Sequence, residues 1–459
     1  MVKNILTMQI GRYQEEKLDI QLSAFEVFKR LYSSCCDLFL LESLGEEGRY
    51  NRYSYVGFSP AYLISALGGE LIINNQLFKT ENPYRFLAEK FSLLQSDGNG
   101  FCGGLVGYVS YEGTKYFESA FSGLTNSEFP DFQFGFYEDG LKFDKKGNFV
   151  SYFHHGKSRK KEVENLINRS GRLETFKYKV IPSVFGKEKH REMVRDVQKN
   201  IKVGNIFQAV LSLKKHYQVD GDKRRIYAIL RSINPSPYMV YMKFGQREII
   251  CASPELLIRV KGKDIEHFGT LAGTIGRGND LKEDDLLAQK LVTNEKEMAE
   301  HMMLVDLARN DIGKICQFGS VRVDRLHTVK KFSHVQHLYS EVRGKLTEGE
   351  NCFSALSSCF PAGTLSGAPK IEAMKLISKL ESEPRGPYGG VAGYFSLNSE
   401  AMLAIIIRSL FINGNHAYTQ TGSGIVLDSK AESEYQEIIN KQKAIEEALR
   451  LAAVSGKLL

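Results

Sequence analysis

The chain has 459 residues, of which 42% are hydrophobic and 25% are charged. This balance excludes collagen-like, mucin-like and disordered chains, because those classes carry too few apolar residues for a large core. The net charge of +7 is small for the length, and no basic stripe with interleaved aromatic residues indicates a nucleic-acid partner. At about 150 residues per domain, the length predicts roughly three domains, or one large α/β body with an appended part.

Seven cysteines without a Cys-x-x-Cys pair favour a reduced, cytoplasmic protein over a disulfide scaffold or a zinc site. The first 20 residues contain no apolar segment of the kind found in secretory signals. The most apolar run, AMLAIII from Ala401, ends at Arg408. It is far too short to cross a membrane and predicts a buried strand, so we expect no membrane association. The composition also includes 28 Phe and 22 Tyr but no Trp.

The N-terminal part of the chain, from about Ile20 to Tyr152, is rich in short β-like runs such as YSYVGFSP, GELIINN and GGLVGYVSY. Gly, Pro and Asn separate these runs, which predicts a sheet-containing region with few long helices. The polar, basic run from Gly156 to Arg172 then predicts a solvated helix and a connector. We therefore expect an N-terminal region at 1–155, a connector at 156–185 and a C-terminal domain at 186–459.

The C-terminal part has clearer periodicity, and its elements mix helices with strands and a hairpin. A helical pattern starts at Lys187 and stops at Gly204, and a strand follows with Phe207 and Ala209 on one face and Gln208 on the other. The remaining predicted elements are a helix at 222–234, a hairpin at 239–253, one long helix at about 284–312, one strand at 330–344 and a closing helix at about 433–454. This order predicts an α+β fold with a large antiparallel component.

Two helical segments each carry a Glu-x-x-Glu pair, namely Glu297 with Glu300 and Glu434 with Glu437. Residues three apart share a helix face, and such a pair alone is usually solvated. Glu300, however, directly precedes the apolar stretch HMMLVDLA, and a buried carboxylate needs a cation. Mg²⁺ is usually held by one or two carboxylates, with waters and substrate oxygens completing its shell. Lys441, one turn after Glu437, offers a positive charge for an anionic substrate.

Two glycine-rich segments could bind an anion through backbone N–H groups. In GTLSGAPK (Gly363–Lys370) a helix would begin at Pro369, so the segment is either an anion site at a helix N-terminus or a plain turn. TGSGIV (Thr421–Val426) lacks the third glycine of a dinucleotide fingerprint. Arg408 in an apolar run needs an acidic partner or an anionic ligand.

His337 alternates with Ser333 and Val335 on one face of a predicted strand. It is either a satisfied polar residue or a proton acceptor. The residues alone thus indicate an enzyme that holds Mg²⁺ and a small molecule with a carboxylate.

From about Lys187 to Leu449 the chain resembles the chorismate-utilising enzymes, and most closely those that make anthranilate. The matching strings include IFQAVLS, INPSPYMVY, ASPELLIRV, KEMAEHMMLVDLARNDIG, CFPAGTLSGAPKIEAM, TQTGSGIV and AESEYQEIINK, and LLESLG and NRYSYVGFSP resemble the N-terminal region of the same enzymes. The resemblance implies an α+β chorismate-binding fold of large antiparallel sheets flanked by helices. It also implies a reaction in which chorismate loses its C4 hydroxyl, ammonia adds at C2, and pyruvate is eliminated to leave anthranilate.

The resemblance assigns a role to each candidate residue. Glu300 and Glu437 are implied as direct Mg²⁺ ligands, with Glu297 and Glu434 holding metal-bound water. Glu255 is implied as the general acid for the departing hydroxyl, and His337 serves the elimination. The implied substrate contacts are Gly273 and Thr274 at the ring, Thr364 in a closing loop, and a clamp on the enolpyruvyl group made by Tyr388, Arg408, Lys441 and the turn of Gly422, Ser423 and Gly424.

Two positions predict which nucleophile is used. Gln208 stands where water-using relatives carry Lys as a base, and Ala272 stands where aminodeoxychorismate synthases typically carry a nucleophilic Lys. Both point to ammonia as nucleophile and to anthranilate as product, with an aminodeoxychorismate synthase as the alternative.

The resemblance also implies feedback control and a partner subunit. Ser43, Pro237, Tyr238 and Met239 match an inhibitor pocket for L-tryptophan. With no room for a fused glutaminase, we expect a separate glutamine amidotransferase subunit to deliver ammonia. A tryptophan-binding regulatory protein without catalysis is a second alternative. The missing tryptophan itself suits an enzyme that is needed when tryptophan runs short.

Overall fold

The computed structural model describes residues 10–44, 52–92, 94–182, 186–331 and 335–454, apart from the side chain of Thr274. Its α-helices are α1 (Ala24–Leu31), α2 (Pro83–Phe91), α3 (Lys160–Ile167), α4 (Lys187–Lys202), α5 (Arg224–Ile233), α6 (Leu281–Val292), α7 (Glu295–Gly313), α8 (Cys352–Cys359), α9 (Lys370–Leu380) and α10 (Ala431–Ala453). Short 3₁₀ helices span Tyr111–Tyr116, Ser119–Phe121 and Gly363–Leu365.

The strands in the first half of the chain are β1 (Tyr13–Leu18), β2 (Asp37–Glu42), β3 (Tyr53–Phe58), β4 (Tyr62–Leu67), β5 (Glu70–Ile73), β6 (Gln76–Phe78), β7 (Gly104–Val109), β8 (Phe132–Tyr137), β9 (Asp139–Asp144), β10 (Phe149–His155), β11 (Phe176–Val180) and β12 (Gln208–Gly221). Those in the second half are β13 (Tyr238–Phe244), β14 (Arg247–Ser253), β15 (Leu256–Lys261), β16 (Asp264–His267), β17 (Ala272–Gly276), β18 (Arg322–Lys331), β19 (Val335–Lys345), β20 (Gly367–Ala368), β21 (Val391–Ser396), β22 (Ala401–Ile405), β23 (Ser409–Asn413) and β24 (His416–Ile425).

Within the described ranges the strands form two antiparallel sheets of twelve strands each. Sheet A runs β1-β10-β9-β3-β2-β13-β14-β23-β24-β12-β11, with β20 paired to β12. Sheet B runs β17-β19-β16-β15-β22-β21-β7-β8-β4-β5-β6, with β18 paired to β19. Early and late strands meet in both sheets, since β2 pairs with β13 and β7 with β21. The limits 1–155, 156–185 and 186–459 stay a prediction, and the sheets run across them.

The core of the molecule is built from the apolar faces of both sheets. One cluster of buried residues includes Phe39 and Phe101 from the N-terminal region together with Leu257 and Phe411 from the C-terminal one. Such a shared core joins the regions into one body. Among the described residues, no helix combines the length and the apolar composition that a membrane crossing requires.

Several predicted elements are confirmed. Helix α4 covers the predicted stretch, and Gly204 follows it with a φ of +80°. The hairpin of β13 and β14 turns between Phe244 and Arg247, as the Gly245–Gln246 pair predicts. The apolar run from Ala401 contains the buried strand β22.

Other predictions are wrong. The long helix at 284–312 is two helices, because the Asn294 side chain caps α7 by accepting hydrogen bonds from the backbone N–H groups of Lys296 and Glu297. Phe207 lies before β12 and is 68% exposed, whereas the polar Gln208 is buried. The strand at 330–344 is divided between β18 and β19, and residues 332–334 lie outside the described part.

The site loops also differ from the prediction. Arg408 lies between β22 and β23 with a φ of +52° rather than inside a strand. Gly422–Gly424 is not a turn but part of β24, in register with β12. From GTLSGAPK, only Thr364 and Leu365 are among the described residues that line the cavity presented below, and no residue at the N-terminus of α9 is among them. The backbone groups of Gly422–Gly424 therefore belong to the ladder between β12 and β24.

Candidate active site

A cavity of about 330 Å³ lies between the two sheets and is flanked by α7 and α10. Strands β12 and β24 contribute to its wall from sheet A, and β17 and β19 from sheet B. The structure brings together residues that are more than 200 positions apart in the chain. The predicted residues that line the cavity are Gln208, Glu255, Gly273, Glu297, Glu300, His337, Thr364, Tyr388, Arg408, Gly422, Gly424, Glu434, Glu437 and Lys441.

Two predicted residues are not placed in the wall. Ser423 alternates with Gly422 and Gly424 along β24 and is not among the described lining residues. The side chain of Thr274 lies outside the described part, although its backbone belongs to β17. In turn, sequence reasoning missed Lys296, which lines the cavity beside the glutamates. Its position, four residues before Glu300 on the same helix, was the available signal.

The four glutamates of the cavity come in two pairs, one on α7 and one on α10. Burial raises the pKa of Glu300, and the charges of Glu297 and Glu437 raise it further. Burial likewise raises the pKa of Glu434. These shifts express the cost of holding like charges near one another away from water. A bound cation would remove that cost.

The oxygen donors of this group fit Mg²⁺ in their chemistry. Glu437 forms an ion pair with Lys441 at 2.6 Å, and Lys441 also donates to the Gly422 carbonyl at 2.9 Å. Glu300 accepts a hydrogen bond from the amide of Gln208 at 3.1 Å. Nowhere in the described part do three His, Cys, Asp or Glu side chains converge to hold a metal by themselves. This arrangement suits an ion that takes one or two carboxylates and completes its shell with water and substrate oxygens.

Glu255 also lines the cavity and lies in the short segment between β14 and β15. It is 5% exposed, and burial raises its pKa to about 8. The Thr364 hydroxyl lies 3.5 Å from Oε1 of Glu255, and the Ile405 N–H donates to the Glu255 carbonyl at 3.0 Å. At neutral pH this side chain therefore carries a proton that it can give to a substrate.

His337 is held as a neutral imidazole. Its Nδ1 lies 2.7 Å from the carbonyl oxygen of Gly273. A carbonyl only accepts, so Nδ1 carries the hydrogen and Nε2 is the basic nitrogen. Burial lowers the pKa of His337 to about 4. Gly273 itself has a φ of +60°, and a Cβ there would lie 2.8 Å from Oε2 of Glu297, so this contact requires glycine.

Arg408 provides a cation for an anionic ligand. Burial lowers the pKa of its guanidinium, which lines the cavity. Within the described residues this guanidinium makes no hydrogen bond or ion pair, which favours an anionic ligand over a structural ion pair. Tyr388 lies in the same wall, and a Cβ on Gly422 would come within 2.9 Å of the Tyr388 hydroxyl. The absent side chain of Gly422 thus makes room for the phenol.

The side-chain amide of Gln208 makes a hydrogen bond through its NH₂ group but not through its oxygen. Its NH₂ group donates to Glu300, while its Oε1 is buried and has no partner among the residues described. A Cβ on Gly424 would lie 2.4 Å from Nε2 of Gln208, so glycine at 424 preserves this arrangement. A buried, unpaired acceptor of this kind is stabilised by a ligand that donates an N–H or O–H.

A second, smaller cavity of about 50 Å³ contains all four residues predicted for an inhibitor pocket. Ser43 and Tyr238 line it, together with Pro237 and Met239. Its other walls include Tyr55 from sheet A and strands β21 and β22 from sheet B. The Ser43 hydroxyl is buried there without a hydrogen-bond partner in the described chain.

The fold and the main cavity define an enzyme of the chorismate-binding class. The sequence model of the chorismate binding enzyme family matches residues 38–447, and the chain belongs to this family.

Among its relatives, the chain is 43% identical over 442 residues to anthranilate synthase component 1 of Methanothermobacter thermautotrophicus, which covers 95% of this chain and 94% of that protein. It is 34% identical over 468 residues to aminodeoxychorismate synthase component 1 of Bacillus subtilis, covering 96% and 98%. The crystal structure of anthranilate synthase component I from Streptococcus pneumoniae TIGR4 aligns with a TM-score of 0.77 at 35% identity, covering 87% of this chain and 93% of that one. The predicted family and fold are confirmed.

Proposed function

We propose that this chain is the large subunit of an anthranilate synthase, a carbon–oxygen lyase that converts chorismate and ammonia to anthranilate and pyruvate in the first step of tryptophan biosynthesis. One observation carries the proposal: the cavity contains a protonated Glu255 together with Gln208 and Ala272. At these last two positions the family resemblance implies lysines in the water-using relatives and in the aminodeoxychorismate synthases, respectively. A neutral glutamine cannot activate water, and alanine cannot attack the ring. Ammonia needs neither residue as a base or a nucleophile. The higher identity to anthranilate synthases than to the aminodeoxychorismate synthase supports the same choice.

Chorismate carries two carboxylates, and the cavity offers a different partner for each. We infer that Arg408 takes the enolpyruvyl carboxylate, with Tyr388, Thr364, Lys441 and the backbone of Gly422–Gly424 on the same side. Gly273 and Thr274 then flank the ring. The ring carboxylate faces the glutamate pairs, where Glu300 and Glu437 would hold Mg²⁺ and Glu297 and Glu434 its water. The ion would neutralise the repulsion between these carboxylates and the substrate.

The first half of the reaction exchanges the C4 hydroxyl for an amine at C2. Glu255 gives its proton to the hydroxyl, which leaves as water, because hydroxide itself is a poor leaving group. Ammonia forms the new C–N bond at C2 and then releases one proton to solvent, from which Glu255 regains its own proton at the end of the catalytic cycle. The unpaired Oε1 of Gln208 is suited to accept a hydrogen bond from the incoming ammonia.

The second half of the reaction makes the ring aromatic. Nε2 of His337 takes the proton from C2 while the C3–O bond breaks, and the departing enolpyruvyl group gains a proton at its methylene carbon to become pyruvate. The low pKa of His337 keeps the imidazole unprotonated before this step. The negative charges of the bound substrate raise its basicity when it is needed.

A partner and an inhibitor complete the proposal. Ammonia comes from a separate glutamine amidotransferase subunit, and L-tryptophan binds in the second cavity at Ser43, Pro237, Tyr238 and Met239. The buried, unpaired hydroxyl of Ser43 supports a polar ligand in that cavity.

The deciding experiment incubates the purified chain with chorismate, Mg²⁺ and an ammonium salt and follows anthranilate fluorescence. We expect anthranilate to accumulate without the partner subunit. Aminodeoxychorismate instead of anthranilate, detected by adding the matching lyase, would assign the chain to folate synthesis. Tryptophan binding without any turnover would identify a regulatory protein.

A further inference from the structure

One charged residue beside the active site has no part in the proposed reaction, namely Lys330 on β18. In the antiparallel pair of β18 and β19, Lys330 lies directly opposite His337. The side chains of residues that lie opposite each other project from the same face of a sheet. The side chain of Tyr339, two residues after His337 in β19, projects from that face as well. The Lys330 ammonium lies 4.8 Å from the centre of the Tyr339 ring. Lys330 is not among the described residues that line the substrate cavity.

The Tyr339 ring under Lys330 belongs to an apolar cluster. Tyr339 packs with Leu256 and Phe268 in a small buried cluster, and Leu256 directly follows Glu255 in the chain. Burial lowers the pKa of Lys330, and the charges of Glu341 and Glu255 oppose that change. Lys330 is partly buried, and partial burial strengthens the interaction between charges relative to a fully exposed surface.

Several other charges face the same groups. The positive charge of Arg408 lowers the pKa of Glu255, and the charges of Arg408 and Lys441 lower the pKa of His337. The charge of Glu341 raises the pKa of Lys330 and that of Arg325 lowers it. Glu341 and Arg325 also form an ion pair with each other at 3.5 Å. Arg408 and Lys441 both line the cavity, so the carboxylates of a bound substrate offset their charges. Lys330 is not among the described residues that line the cavity, so we expect a bound substrate to make no direct contact with its ammonium.

We propose that Lys330 is a positioning residue whose fixed positive charge assists Glu255 in releasing its proton and keeps His337 unprotonated until that release has taken place. The proposal rests on the proposed function. The ammonium stabilises the carboxylate that Glu255 becomes. Once formed, this carboxylate offsets the charge of Lys330, and His337 can then take up the C2 proton. The charge thereby orders the two proton transfers without contacting the substrate.

The test compares Lys330→Met, which removes the charge, with Lys330→Arg, which retains it. The kcat/KM for chorismate is measured against pH at constant free ammonia and saturating Mg²⁺. Lys330 lowers the pKa of both Glu255 and His337, so its removal should move both limbs of the profile to higher pH, by at least about 0.5 unit. Lys330→Arg should retain the limbs of the unmodified enzyme. Lys330→Gln provides a second neutral variant if the Met variant does not fold.

A second measurement does not depend on turnover. The NMR titration of the His337 ring, assigned with His337→Asn, should shift upward in Lys330→Met and stay in place in Lys330→Arg. Unchanged limbs with an unchanged titration in a folded neutral variant would overturn the proposal. So would a uniform loss of activity, or an Arg variant that behaves like the neutral ones. A chain that makes no anthranilate would contradict the proposed function instead, and the titration would still report on Lys330.

Discussion

The cavity contains two groups of functional residues, namely the proton carriers Glu255 and His337 and the two glutamate pairs. They differ in whether the protein alone satisfies their charges and hydrogen bonds. On the proton-transfer side, Glu255 is buried and contacts Thr364, the partly buried His337 contacts the Gly273 carbonyl, and neither carries a charge at neutral pH. On the carboxylate side, Glu437 is half exposed and paired with Lys441. Burial can fix a neutral proton carrier in place, because no charge has to leave water. Bringing several carboxylates together, in contrast, costs free energy until a cation offsets their repulsion.

This comparison predicts that removing the cation has the largest effect. Chelation of Mg²⁺ should lower turnover by at least about 10³-fold, since neither the glutamates nor the substrate carboxylate would be neutralised. The measurement is the rate of anthranilate formation before and after Mg²⁺ is restored. Activity that persists after chelation would mean that Lys296 and Lys441 suffice on the carboxylate side.

Replacement of Glu255 by Gln tests the proton-transfer side. The variant keeps the shape and the hydrogen-bonding capacity of a protonated carboxyl but cannot release a proton, so kcat should fall by about 10²–10⁴-fold while chorismate still binds. In the unmodified enzyme, activity at constant free ammonia should fall above pH 8, where Glu255 loses its proton. A variant with unchanged kcat would exclude Glu255 as the acid.

The same substitution should stabilise the fold in a pH-dependent way. The pKa of Glu255 rises from 4.5 to about 8 on folding, so its contribution to stability is present below pH 4.5 and is lost as the pH rises through about 8. Glu255→Gln should therefore gain thermal stability over the unmodified protein between these values and show no further gain above them. Thermal unfolding at a series of pH values measures this gain. An equal difference at pH 4.5 and pH 8.5 would contradict the assigned shift.

His337→Met should block the elimination while leaving the amination intact. Glu255 and the carboxylate side remain intact, so chorismate should still be aminated, and the aminated, non-aromatic intermediate should accumulate. Chromatography of the products, with the Glu255→Gln variant as a control that makes neither product, gives the result. Loss of all chorismate consumption in a folded His337→Met variant would show that the two halves are not separable.

Arg408→Gln should have a smaller effect, mainly on binding. A charge-assisted contact to a carboxylate contributes about 1.5–3 kcal/mol, so the KM for chorismate should rise by roughly 10- to 100-fold. The KM for ammonia should stay within about twofold, because the residue proposed to contact ammonia is Gln208, which is hydrogen-bonded to Glu300. Equal rises in both KM values would mean that Arg408 organises the whole cavity rather than one carboxylate.

The sequence predicts the local parts of the site better than the distant ones. The spacing of Glu297 and Glu300 places them on one helix face, because a spacing of three is a property of the helix itself. That they face Glu434 and Glu437 across a cavity came only from the family resemblance, since it depends on the packing of both sheets. The helix break at Asn294 was predictable, because an Asn three residues before a Glu is typical of a helix start. The left-handed conformation of Arg408, and the absence of a hydrogen bond or ion pair to its guanidinium within the described chain, had no local signal.

The smallest effect on turnover is expected in the second cavity, which belongs to neither side of the main one. The chain has no tryptophan, so the emission of bound L-tryptophan can be followed on the unmodified protein without background indole. Ser43→Ala removes the buried, unpaired hydroxyl and should weaken tryptophan binding by about tenfold, because the ligand loses one hydrogen bond. Without tryptophan, the kcat should stay within about twofold, since Ser43 is not among the described residues that line the main cavity. If kcat without tryptophan falls as much as tryptophan binding does, the substitution disturbs both cavities together. If the affinity for tryptophan is unchanged, the inhibitor binds elsewhere.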